Sequence, residues 1–123
     1  MGKRVHVIKK HATYGTYEAF NWKFEEFHSL LDMVGCDVYG EDDSENFECE
    51  GNYYKSAMNI LKMYKKKGAC KKVENMLDNV YSSIEKLNIV LENLGGLDYV
   101  LESMELFWKQ RDKKSNWISF SAW

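Results

Sequence analysis

Proline is absent from the 123-residue sequence. Average usage of about 5% would supply roughly six, so the residue that most often interrupts helices is missing and long helices can run on. Cysteine is scarce: Cys36, Cys49 and Cys70 are odd in number, far apart and without a C-x-x-C pair. That pattern speaks against a disulfide scaffold and for reduced thiols in a cytoplasmic protein. No apolar run approaches the roughly 18 residues of a membrane span. A secretory leader is not expected, because the apolar run after Lys3 and Arg4 is broken by His6 and ends at Lys9 and Lys10. Position 6 is His where N-myristoylation requires Ser or Thr. A large net charge is lacking too, at −2.

What is present fits one globular domain covering residues 1–123. Apolar residues make up 45% and charged residues 29%, which argues against disorder. Aromatics reach 15%, with eight Tyr, six Phe and four Trp. A core of this size absorbs only part of them, and the surplus belongs at the surface, where binding interfaces favour such residues.

Hydrophobic periodicity predicts mainly helix. Tyr17, Phe20, Phe24, Phe27, Leu31 and Val34 follow a 3-4 spacing and predict a first helix over 17–34, with Thr16 as N-cap and Gly35 as its left-handed terminator. A second helix is expected over 52–68, with Tyr54, Ala57, Met58, Leu61 and Tyr64 on one face. Val73, Leu77, Val80, Ile84, Leu87, Leu91 and Leu94 predict one third helix over 69–94, about 39 Å long at about 1.5 Å per residue. Gly95 and Gly96 then separate a fourth helix over 97–110. Short loops favour antiparallel packing inside one bundle over a coiled-coil dimer.

Strand character is confined mainly to the two ends. Val5 and Val7 alternate within "RVHVIK", and Ile118, Phe120 and Ala122 alternate with Trp117, Ser119, Ser121 and Trp123 in "NWISFSAW". A lone strand pair is marginal in water, so the ends are expected to meet in a small sheet covered by the helices. The segments "DVY" and "NFECE" within 37–50 offer a third strand. The expected fold class is therefore α+β and mainly helical: four amphipathic helices packed as a bundle, with a small sheet formed by the N- and C-terminal strands. An all-α bundle with frayed ends is the simpler alternative.

Candidate chemistry is sparse. The loop of Lys9, Lys10, His11 and Thr16 joins a strand to a helix start, which suits an anion site. It contains neither the P-loop nor the dinucleotide fingerprint. His6, His11 and His28 lack metal-helix spacing, and the acidic run from Glu41 fails as a calcium loop, with Asn46 where Gly is wanted and Asn52 where Glu is wanted. No G-x-S-x-G occurs, and Glu25 and Glu26 diverge around their helix. No cofactor, metal or enzymatic activity is expected.

Charge is segregated. Residues 37–50 hold seven acids and no base, whereas residues 62–72 hold six lysines and no acid. Lys109, Arg111, Lys113 and Lys114 form a second basic cluster. Helix C-termini account for Lys65, Lys66 and Lys67, but Lys71 and Lys72 begin a helix, where the dipole disfavours them. A basic corner of Lys62, Lys66, Lys67, Lys71 and Lys72 suits an anionic partner. Trp117 and Trp123 are the expected aromatic anchors.

These features point to a small cytoplasmic binding protein that docks on and modulates or inhibits a larger protein or nucleoprotein. Immunity proteins and anti-defence inhibitors of the anti-CRISPR kind are of this class. The alternatives are a nucleic-acid binder, RNA included, that uses the basic corner, and a small enzyme or nucleotide-binding domain that uses the 9–16 loop. No membrane partner is expected, and the oligomeric state stays open.

Overall fold

The computed structural model describes residues 4–7, 18–20, 23–40, 46–77 and 83–122. The two ends of that chain lie side by side. Strand β4 (Trp117–Ala122) runs between β1 (Val5–Val7) and β3 (Asn46–Glu50), and β2 (Glu18–Ala19) adds to the far side of β1. The sheet order is β2-β1-β4-β3, with every pairing antiparallel.

Register decides which face is dry. Val7 lies opposite Phe120, Phe47 opposite Phe120 and Cys49 opposite Ile118. Cross-strand partners share a face and successive residues alternate, so Val5, Val7, Phe47, Cys49, Ile118 and Phe120 form one surface. All six are buried. The pairing of the ends, the inward residues and the "NFECE" strand therefore match the alternation read from the sequence. Tyr39 of "DVY" makes a single bridge to Glu48 outside the strands.

The helices are α1 (Phe24–Met33), α2 (Gly51–Lys67), α3 (Lys71–Met76), α4 (Ile84–Asn93) and α5 (Leu97–Gln110). They make the fold mainly helical α+β. α1 packs on α4, and α2 on α5. Between helices and sheet Phe120 sits among Phe27, Phe47, Phe107 and Tyr54, with ring centroids 5.0–5.8 Å away. Tyr54 is fully buried and donates its hydroxyl to the Met104 carbonyl at 2.8 Å, linking α2 to α5.

Two helix boundaries depart from the periodicity. The first helix starts at Phe24 rather than residue 17, because Glu18 and Ala19 pair with β1 and Phe20 takes a positive φ of 60°. Such a φ is uncommon for a bulky residue. Phe20 still reaches the core, its ring 4.8 Å from that of Phe27, so its stripe position names a buried side chain on a non-helical backbone. The other end of the helix behaves as expected: Gly35 has φ +79°, Cys36 N–H donates to Leu31 O at 2.8 Å and Gly35 N–H to Asp32 O at 3.2 Å. That is the Schellman pattern.

The single helix expected over 69–94 is instead two. Leu77 is extended (ψ 159°) and ends α3, and Ser83 is extended (ψ 165°) and starts α4. Ser83 Oγ accepts from Lys86 N–H at 3.2 Å, an N-cap that competes with continuing the helix. Val73, Leu77, Leu87, Leu91 and Leu94 are nonetheless buried. The second helix differs from 52–68 by one residue at each end, and the fourth expected helix, 97–110, is α5.

Candidate interaction surface

The anion-site residues Lys9, Lys10, His11 and Thr16, together with Trp123, lie outside the described residues. Of the basic corner, Lys66 and Lys67 end α2, and Lys71 and Lys72 open α3 beyond the turn at Gly68; all four are exposed. Lys62 does not join them. It points toward α5, where its Nζ pairs with Glu105 at 3.0 Å. One turn on, Lys65 pairs with Asp98 at 2.8 Å, a hydrogen bond that raises the lysine pKa. The lysine run thus divides between an interhelical seam and a separate corner.

Trp117 is 39% exposed and lies on the solvent face of the sheet, opposite Glu50 in register. Its ring meets that of Tyr39 edge-on, with centroids 5.6 Å apart. Tyr39, 55% exposed, flanks β3 on the side away from β4, so the two rings meet over β3. The same face carries Glu48, which accepts a hydrogen bond from Ser119 Oγ at 3.4 Å. The solvent face of β3 and β4 is thus aromatic and acidic, while its inner face is wholly apolar. Tyr39 has no sequence signal of its own, because nothing local ties it to a tryptophan 78 positions away (117 − 39).

Trp117 also borders a cleft. Gly51, Asn52 and Lys55 of α2 form one wall, and Trp108, Arg111, Lys113 and Asn116 form the other, around about 240 Å³. A second depression of about 290 Å³ continues from it past Lys55 and Trp108 to Asn59, Lys62, Glu105 and Lys109. Trp108 holds the join. Its ring stacks on Tyr54 at 5.9 Å with 10° between ring planes, and the Arg111 guanidinium lies 3.6 Å from its ring centroid. Arg111 Nη1 also donates to the Trp108 carbonyl at 2.6 Å. Such a cation–π contact fixes a charged group that would otherwise wander. The backbone at the α2 start is equally fixed: Gly51 N–H donates to Asn116 O at 2.9 Å. A Cβ at Gly51 would come within 3.0 Å of that same oxygen.

The sequence signal for this cleft is a polar stripe. Asn52, Lys55, Asn59 and Lys62 follow 3-4-3 spacing on α2, as regular as the apolar stripe beside it. Its meaning depends on α5 lying alongside, which periodicity alone does not reveal.

Among the described residues, buried titratable groups are few. His28 is half-buried, its Nε2 has no hydrogen-bond partner among the described residues, and its ring lies 3.9 Å from that of Phe47. Burial lowers its pKa below 6.5. Cys36 and Cys49 are both buried; a hydrogen bond with Cys36 and desolvation push the Cys49 thiol far up. Among the described residues no cluster of His, Cys, Asp and Glu could hold a metal ion, and no helix is long and apolar enough to cross a membrane. Comparison with protein-family models, curated proteins and solved structures finds no match for the chain.

Proposed function

We propose that the protein is a small non-enzymatic binding protein that docks on a larger protein or nucleoprotein through the solvent face of β3 and β4, and modulates or inhibits it. The observation that carries this reading is the exposed Tyr39–Trp117 ring pair set over Glu48. Large, stiff aromatic side chains supply contact area at low entropic cost, and binding energy concentrates in such residues. The acids select the partner's charge: a basic surface, such as a cleft that ordinarily holds nucleic acid, complements them. Occupying that cleft would inhibit by competition.

The test is a pull-down with immobilised protein, wild type against Tyr39→Ala, Trp117→Ala and Glu48→Lys, with nuclease present. A stoichiometric protein partner that survives nuclease and loses about 2 kcal/mol or more of affinity with either aromatic variant supports the reading. Retention of the partner at full affinity by Tyr39→Ala and Glu48→Lys overturns it, as does recovery of no protein at all.

A further inference from the structure

We infer that the cleft between the start of α2 and the 111–117 segment is a binding track for single-stranded nucleic acid, independent of docking through the sheet. Its walls carry Lys55, Arg111 and Lys113, and its continuation adds Lys109. Among the described residues that line it the one carboxylate is Glu105, which pairs with Lys62 at 3.0 Å, so that pair adds no net charge. Cations therefore dominate a concave surface, whereas the chain as a whole is net −2.

Two features favour an extended polyanion over a compact one. The first is length. From Asn52 to Lys62 the α2 wall runs about 15 Å at about 1.5 Å per residue, with Lys55 along that run and Arg111 and Lys113 across from it. The second is an aromatic platform at one end: Trp117 lines the cleft and keeps 39% of its surface exposed. Single-strand sites pair a charged groove with such rings, because every base has a face to stack. Bases within an uninterrupted duplex are already stacked on their neighbours, so an exposed indole at a groove end favours a single strand.

The site differs from the Lys66, Lys67, Lys71 and Lys72 corner, and that difference makes the inference testable. Fluorescence anisotropy would follow fluorescein-labelled oligo(dT) and oligo(U) of about 12 nucleotides, within the usual range of single-strand sites. An unlabelled duplex and oligoglutamate serve as competitors. Wild type should bind the single strands with affinity falling as salt rises. Lys55→Gln with Lys113→Gln, both exposed and outside the core, should weaken binding at least about tenfold. The same pair should flatten the log–log salt slope by about 1.4, at about 0.7 for each phosphate no longer neutralised. Lys71→Gln with Lys72→Gln should leave both quantities near wild type. The inference is overturned if single strands do not bind at low salt, if the corner variant loses what the cleft variant keeps, or if duplex or oligoglutamate competes as well as the single strand. Unchanged melting of both variants separates a binding defect from a folding defect. Partner capture that depends on Tyr39 is a separate readout, so either reading can fail alone.

Discussion

Truncating Phe120 to Ala removes the side chain on which the sheet and helices converge. Its ring is fully buried and lies 5.0–5.8 Å from Phe27, Phe47, Phe107 and Tyr54. A Phe→Ala change in a packed core costs about 3–5 kcal/mol, and four neighbouring rings left facing a void place this one at the upper end. A 123-residue chain at about 0.05–0.15 kcal/mol per residue has about 6–18 kcal/mol in total. The variant therefore loses a large fraction of its stability while still folding, and Tm should fall by about 12–20 °C at about 4 °C per kcal/mol. Trp117→Ala, three residues away on the opposite face and 39% exposed, should cost about 1 kcal/mol, the value of one edge-on aromatic pair. Urea unfolding followed by circular dichroism measures both. The midpoint should drop in Phe120→Ala with the slope m unchanged, since the same surface is exposed on unfolding. Equal losses in the two variants would refute the one-sided sheet, and a loss below about 1 kcal/mol in Phe120→Ala would refute its place at the centre of the core.

Four further outcomes rest on the same geometry. His28 is neutral in the folded state at pH values where the unfolded chain, with its ordinary value near 6.5, already takes up a proton; the unfolded state then binds more protons, so stability is full above about pH 6.5 and declines as pH falls below it. His28→Gln should flatten that decline in paired melting curves, and an unchanged pH profile would show that burial of the imidazole carries no such cost. Titration of the native protein with an aromatic disulfide should find one fast thiol, the half-exposed Cys70, because Cys36 and Cys49 are buried and Cys49 is held protonated; a fast thiol persisting in Cys70→Ser would contradict it. Ser83→Ala should cost about 1 kcal/mol through loss of the α4 N-cap, and Leu87→Ala about 2–5 kcal/mol as a buried leucine, both read from chemical unfolding.

The apolar stripes locate the core more faithfully than they locate the backbone. Phe20 and Leu77 both sit at stripe positions and are both buried, yet one lies in a positive-φ turn and the other in an extended residue that ends α3. Periodicity registers which side chains need to leave water, and a turn can deliver a side chain inward as well as a helix can. The break before α4 does have a local mark, the Ser83 side chain that accepts from Lys86 N–H, but an unbroken heptad runs across it and masks it. The strands are easier to read, because period two fixes the face of every residue once one face is apolar. That is why Ile118 and Phe120 are legible as sharing the inward face and Trp117 as lying on the opposite one.

Surface chemistry is legible only as charge, because the sites are made by neighbours distant in sequence. Lys62 has the look of a basic-corner residue until α5 brings Glu105 to 3.0 Å from it. Lys109, Arg111 and Lys113 read as cations at a helix end, and they become the wall of a cleft only because Lys55 lies across from them. The net charge of −2 thus conceals an acidic, aromatic sheet face and a basic cleft that share a border at Trp117. That border sets a hierarchy among substitutions. Trp117→Ala touches both surfaces and cannot distinguish them. Tyr39→Ala acts only on the sheet face, and the Lys55 and Lys113 changes act only on the cleft. Separate losses from those two sets would show two independent binding surfaces. Parallel losses of protein and nucleic acid from either set would instead mean that both surfaces grip one nucleoprotein, with Trp117 at the junction between its protein and its strand.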